Sequence, residues 1–310
     1  MVIGKYMNDL VTDVKSLELE TLKNLKSSKA SNTLRAYRAD FKDFSGFCYR
    51  NGFKSMPSEP KVISLYITHL SKYSKFSTLK RRLASISVIH RLSGHYIDTK
   101  HPIITENLMG IKRVKGSYQK AKKPILINDL KLILNVIDKE KNEKKRSKNR
   151  TLILVGFAGG FRRSELVAIL YEDVDFVPEG VKIFVKRSKT DQSGEGMTKG
   201  IPYFSNPDYC PVISLKNWLE KSEIKSGKIF DMSDKNVALT IKKYTAIAGL
   251  DSNKYSGHSL RSGFATSTAE FGAEERSIMA MTGHKTTQMV RRYIQEANLF
   301  KNNALNKIKL

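Results

Sequence analysis

A basic segment at residues 111–124, IKRVKGSYQKAKKP, interrupts the apolar spacing of the chain and divides it into two unlike parts. It carries six Lys or Arg residues, and its internal glycine and closing proline disfavour a continuous helix or strand. This composition is typical of a solvated linker rather than of a buried element. We therefore predict one domain over residues 1–115, a basic linker over 116–125 and a second domain over 126–310.

The first part of the chain shows the spacing of amphipathic helices. Between Leu34 and Cys48 the apolar residues recur at three- and four-residue steps, which predicts a helix over 32–50 with one buried face. The same spacing predicts helices at about 60–72 and over 77–92. The first domain is therefore predicted to be all helical.

The second part of the chain mixes helical and strand patterns. Apolar runs predict helices over 127–137 and 151–161, and helical structure restarts over 163–170. Three short runs with strand character follow, at 174–176, 181–186 and 199–203, with a Ser-Gly-Glu-Gly turn sequence before the last. The pattern returns to helix from Pro211 onward. These features predict a mainly α fold with a small antiparallel β-sheet, in which the second domain is α+β rather than doubly wound.

The chain is strongly basic. Its 55 Lys and Arg residues exceed its 30 Asp and Glu residues, which gives a formal net charge of +25. The first 125 residues hold 24 of the basic residues against 9 acidic ones. An excess of this size favours a polyanionic partner such as a nucleic acid. The alternative is a lysine-rich composition that has no function in binding.

The sequence lacks the features of several classes of protein. No apolar run approaches the roughly 20 residues of a membrane helix, and the N-terminus shows no apolar signal-peptide segment. Two cysteines, Cys48 and Cys210, are too few for a disulfide framework, which favours a reducing compartment and thus the cytoplasm. The signatures of nucleotide-, dinucleotide- and zinc-dependent enzymes are missing, and the six histidines form no compact cluster. We therefore expect no metal and no cofactor.

The helix predicted over 77–92 is a candidate DNA-binding element. Outside its apolar positions it presents basic and small polar residues: Lys80, Arg81, Arg82, Ser87 and Arg91. Lysine and arginine bind phosphates, and serine can reach the edges of bases in a groove. These five residues are therefore predicted to bind DNA, and an ordinary solvated helix face is the alternative.

The residues suited to phosphodiester chemistry are concentrated in the second domain. They are Arg162, Glu165, Lys189, His258, Arg261, His284 and Tyr293. Two arginines can clamp one phosphate and stabilise the extra negative charge of a five-coordinate phosphorus. A tyrosine can attack that phosphorus, a histidine can take its proton, and a lysine on a flexible hairpin can protonate the leaving oxygen. Such a set requires no metal, because the arginines supply the positive charge.

Four stretches carry these residues: GGFRRSELVAI, RSKTDQ, GHSLRSGFAT and TGHKTTQMVRRY. Together they resemble the tyrosine recombinase (phage integrase) family, whose pattern in chain order is Arg, Lys, His-x-x-Arg, His or Trp, and Tyr. By this resemblance the catalytic residues are Arg162, Lys189, His258, Arg261, His284 and the nucleophile Tyr293, and Glu165 supports the first arginine. The match covers about 126–300, while SNTLRAYRADFKDF and the basic helix resemble the family's core-binding (SAM-like) domain.

The resemblance implies a site-specific DNA recombinase or integrase that cleaves and rejoins strands through a 3′-phosphotyrosine, without ATP, metal or cofactor. Its implied partners are double-stranded recombination sites and further copies of the chain, which form a tetramer on DNA in the cytoplasm, at the nucleoid. The implied assembly leaves room for accessory proteins and involves no membrane. The C-terminal tail at 296–310 is implied to dock into a neighbouring subunit.

Some of these assignments have rivals. Within the sequence the rivals are Arg163 for Arg162, Lys186 and Lys199 for Lys189, and Tyr203, Tyr244 and Tyr255 for Tyr293. Each histidine, taken alone, is equally a structural residue, and only the ordered set favours catalysis. The alternative functions are a type IB topoisomerase-like enzyme or a resolvase, which share the chemistry, and a catalytically silent DNA-binding regulator with the same fold.

Overall fold

The computed structural model describes residues 14, 16, 17, 20, 24, 30–117, 121–188, 191, 194–301 and 304–308. The chain divides into two compact units, Met1–Lys120 and Ala121–Leu310, each built on its own hydrophobic core. The described residues are mostly helical and include one three-stranded antiparallel sheet, which confirms the predicted fold class. Over this described part of the chain, no helix combines the length and the apolar character that crossing a bilayer requires.

The first unit consists of four helices over the range 30–117. They are α1 (Ser31–Arg50), α2 (Pro60–Ser71), α3 (Phe76–Leu92) and α4 (Pro102–Lys115). The helices α2 and α4 both begin with proline, whose fixed φ suits the first helical position. The apolar faces of the helices in this unit form a buried core that includes Phe44, Ile63, Tyr66, Leu79 and Ile86. The three helices predicted here from apolar spacing are confirmed to within one residue at each end.

Among its described residues, the second unit contains the sheet and eight α-helices. They are α5 (Ile127–Asp138), α6 (Glu143–Ala158), α7 (Arg163–Leu166), α8 (Pro211–Ser222), α9 (Asp234–Ile247), α10 (Ser259–Glu270), α11 (Glu275–Thr282) and α12 (Thr287–Ala297). The strands are β1 (Val174–Val177), β2 (Gly180–Val185) and β3 (Met197–Pro202), paired in the order β1-β2-β3. Val181 pairs with Ile201, and the buried positions alternate along β2, so one face of the sheet lies on the core.

Two predicted helices of the second unit have different bounds in the structure. The apolar helix predicted over 151–161 begins eight residues earlier, because the charged residues before it form its exposed first turns, and Asn142 caps it by accepting from the backbone N–H of Lys145 at 2.8 Å. The helix predicted over 163–170 is only four residues long, because Leu170 already pairs with Lys228 in an antiparallel bridge. The first helix is thus longer at its start than predicted and the second is shorter, and the apolar residues of both stretches are still part of the buried core.

Candidate active site

The turn between α6 and α7 positions Arg162 and Glu165. Gly160 in this turn has φ 54, a left-handed conformation that favours glycine, and a Cβ there would lie 2.9 Å from the Phe264 ring. Arg162 directly precedes α7. The carboxylate of Glu165 is buried, and it accepts hydrogen bonds from the backbone N–H of Arg162 at 2.9 Å and from Nη1 of Arg162 at 2.5 Å. Glu165 therefore holds both the backbone and the guanidinium of Arg162.

Helix α10 brings Arg261 to the same turn. Its side chain is 1% exposed, and Nη1 donates to the carbonyl oxygen of Gly160 at 2.9 Å. Burial, together with the charge of Arg162, lowers the pKa of Arg261 to about 10, so the guanidinium stays charged at neutral pH. Its buried Nε–H finds no partner among the described residues, which adds to the cost of holding this charge inside the protein.

His284 holds the other side of Arg261. It follows Gly283, whose φ of 63 ends α11 in the left-handed conformation, and its Nε2 lies 3.1 Å from Nη2 of Arg261. Its Nδ1 lies 2.7 Å from the hydroxyl of Thr282, which itself donates to the carbonyl of Ile278 at 2.6 Å. Since Thr282 has already given its proton, Nδ1–H donates to Thr282 and Nε2 accepts from the arginine.

This arrangement keeps His284 neutral. Burial, followed by the charges of Arg261 and Arg162, lowers the pKa of His284 to about 4. A neutral ring that accepts from Arg261 orients the guanidinium and is not a free base. Thr282 was not among the predicted site residues; its only signal in the sequence is a threonine directly before the Gly-His step at a helix end.

Tyr293 lies on α12 with its hydroxyl 3.3 Å from Nε2 of His258. Burial raises the pKa of Tyr293, and this effect exceeds the opposing influence of the Arg261 and Arg292 charges. The phenol is therefore protonated at neutral pH, and the cationic surroundings alone do not ionise it. Desolvation and then the charges of Arg261, Arg162 and Arg163 lower the pKa of His258, so its neutral ring can accept the phenolic proton.

Lys189 lies outside the described residues, so its predicted role stays a prediction. It belongs to the connection between β2 and β3, where Asp191 accepts from the backbone N–H groups of Gly194 at 3.0 Å and Gly196 at 2.8 Å. Its rival Lys186 forms an ion pair with Asp173 at 2.8 Å. The other rival, Lys199, is directed into the site from β3.

Lys199 is a fully buried cation beside the arginines. Its Nζ donates to the carbonyl oxygen of Gly159 at 2.7 Å, lies 4.3 Å from the centre of the Phe161 ring, and is 3.9 Å from Oε2 of Glu165. From the sequence alone, Lys199 is only an alternative to Lys189 as the catalytic lysine. The alternation of side chains along β3 is a signal that could have identified it. Lys199 and Ile201 are two residues apart, so they lie on the same face of the strand, and both are buried.

The remaining rivals have other partners. Arg163 pairs with Asp234 at 3.6 Å. The tyrosine hydroxyls bind elsewhere: that of Tyr203 accepts from Lys216, that of Tyr244 accepts from Asn149, and that of Tyr255 donates to Asp129. Of the four candidate tyrosines, Tyr293 is thus the one whose hydroxyl lies beside a histidine of the predicted set.

The predicted DNA-binding residues on α3 differ in their surroundings. Arg81 and Arg82 both pair with the buried carboxylate of Asp40, and Arg82 also lies 3.4 Å from Asp43. Ser85 donates to Asp40 at 2.7 Å. This carboxylate, which was not among the predicted site residues, therefore holds the basic surface of the helix from within the unit. Lys80 and Arg91 are exposed, and Ser87 and Arg91 line a cleft of about 590 Å³.

Comparisons with known proteins give the family of the chain. The sequence matches the phage integrase family over residues 125–299. It is 42% identical over 279 residues to an integrase/recombinase XerD homolog of Selenomonas ruminantium, a match that covers 85% of this chain and 81% of that protein. A tyrosine recombinase of Agathobacter rectalis is 26% identical over 242 residues, covering 75% of this chain and 76% of that relative.

Solved structures share the fold. The post-cleavage complex of the XerH site-specific recombinase with its palindromic difH substrate has a TM-score of 0.60 at 18% identity, over 80% of this chain and 73% of that one. A lambda integrase tetramer bound to a Holliday junction has a TM-score of 0.57 at 17% identity, over 94% and 79% of the two chains. The family match contains every predicted catalytic residue, and the chain belongs to the phage integrase family, the tyrosine recombinases, enzymes that cleave and rejoin DNA strands.

Proposed function

We propose that this chain recombines DNA at specific sites, with Tyr293 as the nucleophile. The phenolic oxygen attacks a scissile phosphorus, a Tyr–O–P bond forms to the 3′ side of the break, and the P–O5′ bond breaks. The observation that carries this proposal is the hydroxyl of Tyr293 at 3.3 Å from His258, within the unit that also holds Arg162 and Arg261. The reverse reaction, with a 5′-hydroxyl from the partner duplex, rejoins the strand, so the bond energy stays in the protein–DNA link.

The protons of this reaction have donors and acceptors in the proposed site. His258 takes the phenolic proton, since its lowered pKa keeps the ring neutral at pH 7. Arg162 and Arg261 bind the non-bridging oxygens, and their charges stabilise the five-coordinate phosphorus. Lys189 gives a proton to the leaving 5′-oxygen, a role that rests on the resemblance of its SKT context. His284 keeps Arg261 in place by accepting from it.

The experiment that tests this function uses a library of duplexes with a nick near the cleavage site. After cleavage the short fragment that carries the 5′-hydroxyl diffuses away, so the strand cannot be rejoined and the covalent adduct accumulates. Protein-linked DNA is recovered under denaturing conditions and sequenced. Adducts at one recurring sequence support a site-specific recombinase. Adducts without sequence preference support the topoisomerase-like alternative, and binding without any adduct supports the silent regulator.

We also propose that the basic first unit grips the duplex. The exposed Lys80 and Arg91 bind phosphates, and Ser87 lies beside Arg91 at the cleft where a base edge can be reached. Arg81 and Arg82 also bind DNA phosphates, and their ion pairs with Asp40 hold the two side chains in position. DNA is the substrate, so we place the protein in the cytoplasm at the nucleoid.

Replacement of Thr282 by valine is expected to slow strand cleavage about tenfold, a loss comparable with those from removing an orienting contact. Valine has the shape of threonine but leaves Nδ1–H of His284 without its acceptor, at a cost of about 1–3 kcal/mol. Single-turnover cleavage and thermal unfolding measure the two effects. A Thr266→Val variant is the control, because this hydroxyl, also buried on a helix, has no partner among the described residues. Equal rates for both variants would show that Thr282 does not orient the ring.

The C-terminal tail is proposed to bind a neighbouring copy of the chain. Large apolar side chains are exposed beyond α12, at Leu299, Phe300, Leu305 and Ile308. The lambda integrase structure with which this chain shares its fold is a tetramer on a Holliday junction. Deletion of residues 299–310 is expected to weaken assembly on paired sites at least tenfold while single-site binding changes less than threefold. Mobility shifts on one-site and two-site duplexes measure both, and an equal loss on the two would contradict docking.

A further inference from the structure

Lys199 places an ionisable amine where a strand would ordinarily place an apolar side chain. Its side chain is 0% exposed, and a lysine is almost never fully buried unless it has a partner. The hydrogen bond to Gly159, the ring of Phe161 and the carboxylate of Glu165 surround its ammonium group. An apolar residue at this position would avoid the cost of desolvation, so the contacts of Lys199 need an explanation beyond core packing.

These contacts join β3 to the turn that carries the arginines. The carbonyl of Gly159 accepts from Lys199 and the carbonyl of Gly160 accepts from Arg261, while Arg162 lies two residues further along. Glu165 binds Arg162 directly and lies 3.9 Å from Lys199. One short turn and one carboxylate therefore hold all three cations.

The charges of this cluster are balanced only when an anion is present. Glu165 is its single carboxylate among the described residues, and it faces three cationic groups. Burial, followed by the repulsion from Arg261 and Arg162, lowers the pKa of Lys199 to about 7 in spite of Glu165. A phosphate oxyanion between the arginines would reduce this repulsion and favour the charged lysine.

We propose that Lys199 is a positioning residue for strand cleavage, which ties strand β3 to the 159–162 turn and so holds Arg162 and Arg261 in one arrangement. The inference rests on the proposed function. Lys199 acts through the turn and Glu165, because its Nζ is already held by the carbonyl of Gly159, the ring of Phe161 and the carboxylate of Glu165. It is thereby distinguished from Lys189, the proposed proton donor in the connection that precedes β3.

Two substrates distinguish positioning from proton donation. One is a nicked duplex with the natural 5′-oxygen at the cleavage site, and the other carries sulfur in place of that bridging oxygen. A thiol has a pKa of about 8.5, so the thiolate leaves without a proton from the enzyme. A variant that lacks the proton donor recovers on the sulfur substrate, whereas a variant with displaced arginines is slow on both.

Lys199→Met keeps the length of the side chain and removes its charge, and it is expected to lower single-turnover cleavage about 100-fold on both substrates, the loss typical of a displacement of about 1 Å. Lys199→Arg, which keeps a cation and donors, is expected to recover most of that loss. The matched control is Lys182→Met, an exposed lysine on β2, with a rate within twofold of the native chain. DNA binding of all variants is expected to stay within about threefold.

Each outcome has a definite meaning. Recovery of Lys199→Met on the sulfur substrate would make Lys199 the proton donor and overturn the proposal, as would native rates on both substrates. If Lys199→Met loses its cooperative thermal transition, Lys199→Arg carries the comparison. Rates close to native, or a small loss of equal size on both substrates, support positioning, and a loss only on the oxygen substrate refutes it. Absence of any adduct from the native chain would refute the proposed function itself.

Discussion

Tyr293→Phe is expected to abolish the covalent protein–DNA adduct on a nicked duplex and to leave DNA binding within about twofold of the native chain. Phenylalanine keeps the ring that contacts the small core of Ala265, Ile278 and Val290 and removes only the hydroxyl beside His258. Loss of a nucleophile lowers a rate by more than about 10³-fold, so the adduct should fall below detection. A denaturing gel of end-labelled duplex measures the adduct, and a mobility shift measures binding.

The matched control is Tyr203→Phe. Tyr203 is also partly exposed, but its hydroxyl accepts from Lys216 on α8 and lies outside the proposed site. This variant should form the adduct at the native rate. An adduct that survives in Tyr293→Phe would place the nucleophile elsewhere in the chain, whereas loss in both variants would point to a general effect on folding.

Arg261→Ala is expected to lower the cleavage rate by about 10²–10³-fold, as removal of a donor to a developing oxyanion does. Lysine should not restore the rate, because a single ammonium cannot reproduce the planar fork that donates to Gly160 and to His284 at once. Single-turnover cleavage at saturating protein separates this effect from binding, which should weaken by less than tenfold.

Arg163→Ala serves as the control for charge. Arg163 lies next to Arg162 in the sequence but pairs with Asp234 at 3.6 Å, so its loss should change cleavage by no more than about threefold. A cleavage defect in Arg163→Ala as large as that of Arg261→Ala would mean that net charge near the site matters more than the position of the guanidinium.

The parts of this site that could be predicted are those set by local spacing. Arg162 and Glu165 are three residues apart at the start of a helix, and a separation of three places the two side chains on one face. Three of the four described helices of the first unit were predicted within a residue, because their apolar stripes follow the helical period. The fourth, α4, was not predicted, and its residues 111–115 lie in the basic segment that was interpreted as a linker.

The parts that could not be predicted depend on contacts between distant segments. Lys199 and Gly159 are forty residues apart, and three lysines near one hairpin look alike in sequence. The pairing of Arg82 with Asp40, forty-two residues away, is equally invisible on a helix that reads as a free basic face. The orientation of His284 follows from the way Thr282 uses its proton, which only a structure reveals.

The contact between Tyr293 and His258 lies within a single polypeptide. Each protomer therefore brings its own attacking group together with the base that activates it, and no exchange of helix α12 between subunits is needed to form that pair. We therefore expect that, in a mixed assembly, an intact subunit does not supply its tyrosine to a subunit that lacks one. Inactive copies expressed beside the native chain would then lower recombination, because each complex that contains one opens fewer strands.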